Sequence, residues 1–178
     1  MTPGDPRAIH AATAYDLLRA LDADVDAALP PELSALARSR VAMTLGVLPW
    51  EPMPQQDAAA DFAEQFVVDV TGVQLGPVVP RLGDSLVSFV KGLWVIDLGL
   101  RTDLVLGRLF DVDIPTRAGH AGSADPLTFD PFLRSVALMD GLDPLTTELV
   151  RLRVARHHNC RLCKSLRTRA AMQAGGDE

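Results

Sequence analysis

Two stretches of this chain read as copies of one another: LPPELSALARSRVA, Leu29 to Ala42, and LDPLTTELVRLRVA, Leu142 to Ala155. With a shift of 113 positions, seven of the fourteen residues are identical: Leu29/Leu142, Pro31/Pro144, Leu36/Leu149, Arg38/Arg151, Arg40/Arg153, Val41/Val154 and Ala42/Ala155. A looser match lies upstream in the same order, where DLLRAL (Asp16 to Leu21) aligns with PFLRSV (Pro131 to Val136) at a shift of 115. Self-similarity of this kind marks a repeated structural unit. Both copies read as helix, because Leu33, Leu36, Val41 and Leu45 recur at helical spacing behind Pro31, a residue suited to a first helical turn. The first copy is followed by long helical segments, whereas the second runs to Glu178 before a full unit is complete. A continuation of the chain or a neighbouring subunit is therefore expected to supply the missing packing surface.

Working outward, nearly every other segment also reads as helix. Leu17, Leu18, Leu21, Val25 and Leu29 form one stripe over Ala8 to Leu29, ended by Pro30 and Pro31. Gly46 to Pro54 is a loop, and helices follow at Asp57 to Val70 and Gly83 to Phe110. The latter is expected to bend or break near Gly99, with Asp97 and Arg101 four residues apart and able to pair. Pro, Gly, Ser and Asp crowd Asp111 to Pro126, the best linker. Asp130-Pro131 and Asp143-Pro144 each place a capping carboxylate before a helix-starting proline. The last helix is expected to pause at Asn159, resume over Cys160 to Ala174 and stop at Gly175 and Gly176. With no period-2 pattern of useful length, the fold class is all-α. The division is a degenerate first unit over residues 1–110, a linker over 111–126 and a half-unit over 127–178.

Composition limits the function classes. The 178 residues are 48% hydrophobic with a net charge of −6, too apolar for a disordered chain. Lys91 and Asp97 interrupt the longest apolar run, so no membrane span is expected, and the N-terminus lacks the pattern of a secretory signal. The cytoplasm is the expected compartment. Residues 1–144 carry a balance of −10 and residues 145–178 a balance of +4, yet the basic end has no aromatic residue to stack on a base. A nucleic-acid partner is not expected.

The chemistry-bearing residues lie at that basic end. Cys160 and Cys163, the two cysteines of the chain, form a Cys-Arg-Leu-Cys unit after Asn159, a good helix cap. A helix start, with Arg161, Lys164 and Arg167 nearby, favours thiolates and hence redox exchange. As a staple the pair is poor, since it closes a very short loop. His157 and His158 are further candidates for a zinc site with both cysteines, but adjacent histidines rarely aim both rings at one metal, so neither a metal nor another cofactor is expected. Glu148, on the helix leading into the cysteines, shares a partly buried face with Leu145, Leu152 and Ala155. Desolvation is expected to raise its pKa and suit it to relay a proton; the competing reading is an ion pair with Arg151. In the first copy the equivalents of Glu148, Cys160 and Cys163 are Ala35, Val47 and Trp50, so the second copy alone has this chemistry.

From Glu148 to Glu178 the sequence ELVRLRVARHHNCRLCKSLRTRAAMQAGGDE resembles the core motif of the alkylhydroperoxidase D-like (carboxymuconolactone decarboxylase) superfamily: a Glu, eleven residues, CxxC, then a helix ending in Ala and Gly. FAEQFVVDVTGV and FVKGLWVIDLGL look like the helices that follow this motif in longer members. The resemblance implies an all-α bundle that assembles as a homo-oligomer and acts as an antioxidant thiol peroxidase or dithiol-disulfide oxidoreductase. In that scheme Cys163 attacks the peroxide, Cys160 resolves the sulfenic acid as a disulfide and Glu148 serves in proton relay. A dithiol partner, a lipoylated protein in the best-known branch, then reduces the disulfide. The family pattern places a histidine between the cysteines and another four residues after the second, where this chain has Leu162 and Arg167. Arg167 can stabilise a thiolate but does not shuttle protons near neutral pH, and His157 or His158 is the available substitute. Helix-end electrostatics alone favour Cys160 as the more acidic thiol, against the family's use of the second cysteine. The alternatives are a non-catalytic scaffold or binding member, and a lactone-acid decarboxylase.

Overall fold

A computed structural model describes residues 6–52, 55–111, 128–157 and 159–176. Every regular element among these residues is helical: α1 (Pro6–Ala28), α2 (Pro31–Thr44), α3 (Ala58–Val68), α4 (Val78–Leu82), α5 (Leu86–Phe110), α6 (Asp130–Ala137), α7 (Pro144–His157), α8 (Arg161–Ser165) and α9 (Arg169–Gln173). The all-α expectation holds for them. The linker expected over 111–126 lies outside the described residues except for Asp111.

The helices of residues 6–110 are built around α5, which packs against α1 and α2 and touches α3 and α4. Helix α1 kinks at Ala11 (φ −153°, ψ 38°) and ends where Pro30 disfavours helical backbone at the residue before it. Of the expected stripe, Leu18, Leu21, Val25 and Leu29 are buried and Leu17 is half-buried, and Leu33, Ala37 and Val41 continue the core onto α2. Helix α3 presents Ala59, Ala60 and Ala63, whose small side chains let it approach α2 closely. Phe62 of α3 meets Phe89 of α5 with ring centroids 6.4 Å apart. At Gly92 of α5 a Cβ would lie 3.2 Å from Val25 Cγ1 and 3.3 Å from Leu29 Cδ1, so glycine sets the α1–α5 spacing.

Among the polar ties that hold this bundle are two to α3. Asp97 and Arg101 pair at 2.8 Å, and Arg101 Nη2 also donates to the Val67 carbonyl at 2.9 Å, fixing α5 to the end of α3. Arg40, 3% exposed, donates to Glu64 Oε1 and to the Glu51 carbonyl, both at 3.1 Å, and its guanidinium lies over the Trp50 ring.

Several local expectations are corrected. Helix α5 runs through Gly99 without a break. Asp130 is inside α6 and does not cap it, whereas Asp143 does cap α7: its Oδ1 accepts from Leu145 N and Thr146 N at 3.0 and 2.9 Å. The single helix expected over Cys160 to Ala174 is two short helices, with Leu166 and Thr168 extended.

Helices α2 and α7 are each 14 residues long and begin at the aligned prolines Pro31 and Pro144. Their surroundings differ. Helix α2 packs against α3 and α5, while α7 among the described residues packs mainly on α8 and α9; α6 lies on α1, and its Phe132 ring meets Trp94 of α5.

Candidate functional site

Helix α7 ends at His157, and the chain turns through Asn159, which has left-handed backbone (φ 50°). Asparagine tolerates this region better than most residues. Asn159 therefore does not cap the following helix as expected. Its side chain donates to Thr71 Oγ1 at 3.1 Å and accepts from Lys164 Nζ at 2.7 Å, tying the turn to the segment after α3. His157 Nε2 lies 3.4 Å from Arg101 Nη1, a second tie across the same seam.

Cys160 takes the capping role. Its backbone is extended (φ −68°, ψ 106°), and its Sγ accepts the Cys163 N–H at 3.2 Å. Cys160 and Cys163 are joined as a disulfide with their Cα atoms 5.3 Å apart, and both residues are half-buried. A backbone N–H aimed at Sγ stabilises a thiolate whenever the bond is open. Leu162, between the cysteines, is exposed.

Glu148 is 5% exposed on the inner face of α7. It accepts from Arg151 Nη2 at 2.6 Å and Arg151 Nε at 2.8 Å, a bidentate pair, and from Thr168 Oγ1 at 3.2 Å and Thr168 N at 3.4 Å. The hydrogen bonds from Arg151 hold its pKa down from the ordinary 4.5 to about 2 against the opposing effect of desolvation. The expected upward shift is thus reversed: burial is as foreseen, but the i+3 arginine outweighs it.

Arg151, which periodicity and spacing single out only as an ion-pair partner, is at the centre of this arrangement. Besides Glu148 it reaches the Cys163 carbonyl through Nη1 at 2.7 Å and the Leu166 carbonyl through Nη2 at 2.6 Å. These two contacts account for the break between α8 and α9. Carbonyls that would extend a helix bond to a guanidinium, while the Thr168 N–H at the start of α9 turns to Glu148. One charge pair therefore holds both ends of the segment after the cysteines. The sequence did carry a signal for it, because arginine is kept at both aligned positions. Arg38 makes a comparable clamp in the first unit, with Nη1 on Asp22 Oδ1 and Nη2 on the Asp22 carbonyl, both at 2.9 Å.

The structure thus brings together Cys160, Cys163 and, through Arg151, Glu148. Arg167 is exposed, and its Nη1 donates to the Lys164 and Leu166 carbonyls at 2.7 and 2.8 Å, so it closes the end of α8. His158 lies outside the described residues. Among those that are described, no group of three or more His, Cys, Asp or Glu is placed to hold a metal ion, and no helix is long and apolar enough to cross a membrane.

No family model matches the chain. No solved structure matches it either. Over 164 residues the chain is 39% identical to uncharacterized proteins of Mycobacterium tuberculosis from strain CDC 1551 / Oshkosh and strain H37Rv, the alignment covering 85% of this chain and 57% of each relative. The chain therefore spans little more than half the length of the relatives it matches.

Proposed function

We propose that Cys160 and Cys163 are the redox centre of a dithiol-disulfide oxidoreductase that reduces peroxides. The observation carrying this reading is the pair itself: two cysteines bonded to one another at the start of α8, with the Cys163 N–H on Cys160 Sγ and a salt-bridged clamp fixing the segment behind them. A cytoplasmic homo-oligomer, where thiols are kept reduced, is the setting that the resemblance to the alkylhydroperoxidase D-like superfamily implies for such a centre.

The cycle balances in three steps. The Cys163 thiolate attacks the peroxide, taking one oxygen as a sulfenic acid and releasing an alcohol, with one proton drawn from solvent. The Cys160 thiol then displaces water from the sulfenic acid, forming the disulfide. A dithiol reductant, a lipoyl group in the nearest functional analogy, returns both cysteines to thiols and is itself oxidised to a disulfide. A carboxyl with a pKa of about 2 carries no proton to donate at neutral pH. The role that fits Glu148 is therefore to orient Arg151, and through it the Cys163 carbonyl, in place of the proton relay expected from sequence. Arg167 holds the end of α8 in the same manner.

The test is peroxide consumption by the full chain with dihydrolipoamide as reductant. Cys163→Ser is expected to abolish turnover, and Cys160→Ser to leave one oxidation per protein and no cycle. Turnover that survives loss of both cysteines would reject the proposal.

A further inference from the structure

From Leu149 to Gly176 the chain carries six arginines and Lys164 and not one carboxylate. Residues 1–144, by contrast, carry a balance of −10. Among these cations Arg151 is neutralised by Glu148. The others have no ion-pair partner among the described residues, and all of them are exposed except Lys164, which is half-buried.

Hydrogen bonds set this charge around the disulfide. Lys164 Nζ is held by Asn159 Oδ1 at 2.7 Å, at the turn into Cys160. Arg167 Nη1 is held by the Lys164 and Leu166 carbonyls at 2.7 and 2.8 Å, beyond Cys163. Arg161 follows Cys160 directly. Helix α8 is five residues long, so its ends are about 8 Å apart. That is within a Debye length, about 10 Å at 0.1 M salt, and the three cations act together on an approaching group. At about 100° per residue, Cys163 falls between Lys164 and Leu166 around α8. Leu166 and its neighbour on that face, Leu162, are 54% and 68% exposed. A group that reaches the Cys163 sulfur therefore meets cations and a projecting apolar edge.

Charge spread along the whole segment suits a surface bearing several carboxylates better than one small acid. A nucleic acid would find no Phe, Tyr or Trp in the run to stack on. We propose, on the basis of the redox reading above, that the Cys160–Cys163 bond is reduced by an acidic polypeptide that docks on α8 and presents a dithiol among aspartates or glutamates. A partner thiolate attacks Cys163 Sγ and expels the Cys160 thiolate, toward which the Cys163 N–H is already directed at 3.2 Å. A stabilised leaving thiolate departs faster. The partner's second thiol then displaces Cys163 from the mixed disulfide. The partner leaves as a disulfide, and its two electrons and two protons stay on Cys160 and Cys163 as thiols.

The probes are two synthetic peptides with the same Cys-x-x-Cys dithiol, one flanked by glutamates and the other by glutamines. Each reduces the oxidised full chain, followed by quenched mass spectrometry, and each rate is divided by that peptide's rate with hydroxyethyl disulfide to cancel differences in thiol reactivity. At low salt the glutamate peptide is expected to be about tenfold faster. The advantage is expected to vanish towards 1 M salt, where the Debye length is about 3 Å. Arg161→Gln with Lys164→Gln is expected to bring the ratio of the two peptides close to one, a readout that cancels any change in the disulfide itself. Equal rates for the two peptides at low salt overturn the acidic partner and leave the redox centre standing. A comparable advantage of dihydrolipoate over dihydrolipoamide also overturns it, by making the occupant a small acid. A bond that neither peptide nor dithiothreitol opens overturns the redox centre and this partner together.

Discussion

Glu148 and Arg151 meet in two parallel hydrogen bonds of 2.6 and 2.8 Å, and the same guanidinium holds the carbonyls of Cys163 and Leu166. The pair therefore belongs to the cysteine segment as much as to α7. Because the Glu148 pKa falls from 4.5 to about 2 on folding, the unfolded chain binds more protons between those values. The stability due to the pair is complete above about pH 4.5 and is lost as pH falls towards 2. Denaturant melts through this window are expected to show the decline, and Glu148→Gln to flatten it. A variant with the same pH slope as the parent would remove Glu148 from the account.

Reducing the disulfide is expected to change stability little. A bridge between residues three apart restrains the unfolded chain by no more than about 2 kcal/mol, and the Arg151 hydrogen bonds that hold α8 are accepted by backbone carbonyls. Thermal melts with and without a phosphine reductant test this. Loss of α8 on reduction, read by hydrogen exchange at Lys164 and Leu166, would show that the bond and not the clamp maintains the segment.

The paired arginines of the repeat give opposite expectations. Arg40→Ala removes a buried guanidinium, its bond to Glu64 and its packing on Trp50, for an expected loss of about 3 kcal/mol. Arg153→Ala removes an exposed one and is expected to stay within about 0.5 kcal/mol. Equal losses from the two would mean that Arg153 has a partner in the free protein.

At Gly92 a side chain must displace Val25 and Leu29. Gly92→Val is expected to cost about 2 kcal/mol by forcing α1 from α5, measured by urea denaturation. Gly76 has open space at its Cβ position, and Gly76→Ala is expected to fall within about 0.5 kcal/mol.

Helical periodicity made most of the bundle legible in the sequence: Leu18, Leu21, Val25 and Leu29, Leu33 and Val41 of α2, the Asp97–Arg101 pair and the Asp143 cap occur as read, while Leu17, Leu36 and Leu45 are half-buried at its edge. What periodicity missed was set by contacts between distant residues. Nothing local separates a continuous helix over Cys160 to Ala174 from two short ones, because the break depends on Arg151 bonding to carbonyls 12 and 15 residues away. The direction of the Glu148 shift was missed for a related reason. Burial and pairing push a carboxyl in opposite directions, and which wins depends on whether the arginine folds back in bidentate geometry. Asn159 reads locally as a cap, yet Thr71, far away in sequence, claims its side chain. The cysteine pair was legible outright, as the chain has no other cysteines.

The central claim is that Cys160 and Cys163 act as one redox centre. It is tested most directly by titrating the reduced full chain with hydrogen peroxide and following sulfenate and disulfide by mass spectrometry across pH. The account predicts that one equivalent of peroxide converts both thiols to a single Cys160–Cys163 bond, at a rate governed by an apparent pKa well below that of free cysteine, about 8.5. Slow and separate oxidation of each sulfur, with the pH dependence of an ordinary surface thiol, would contradict it.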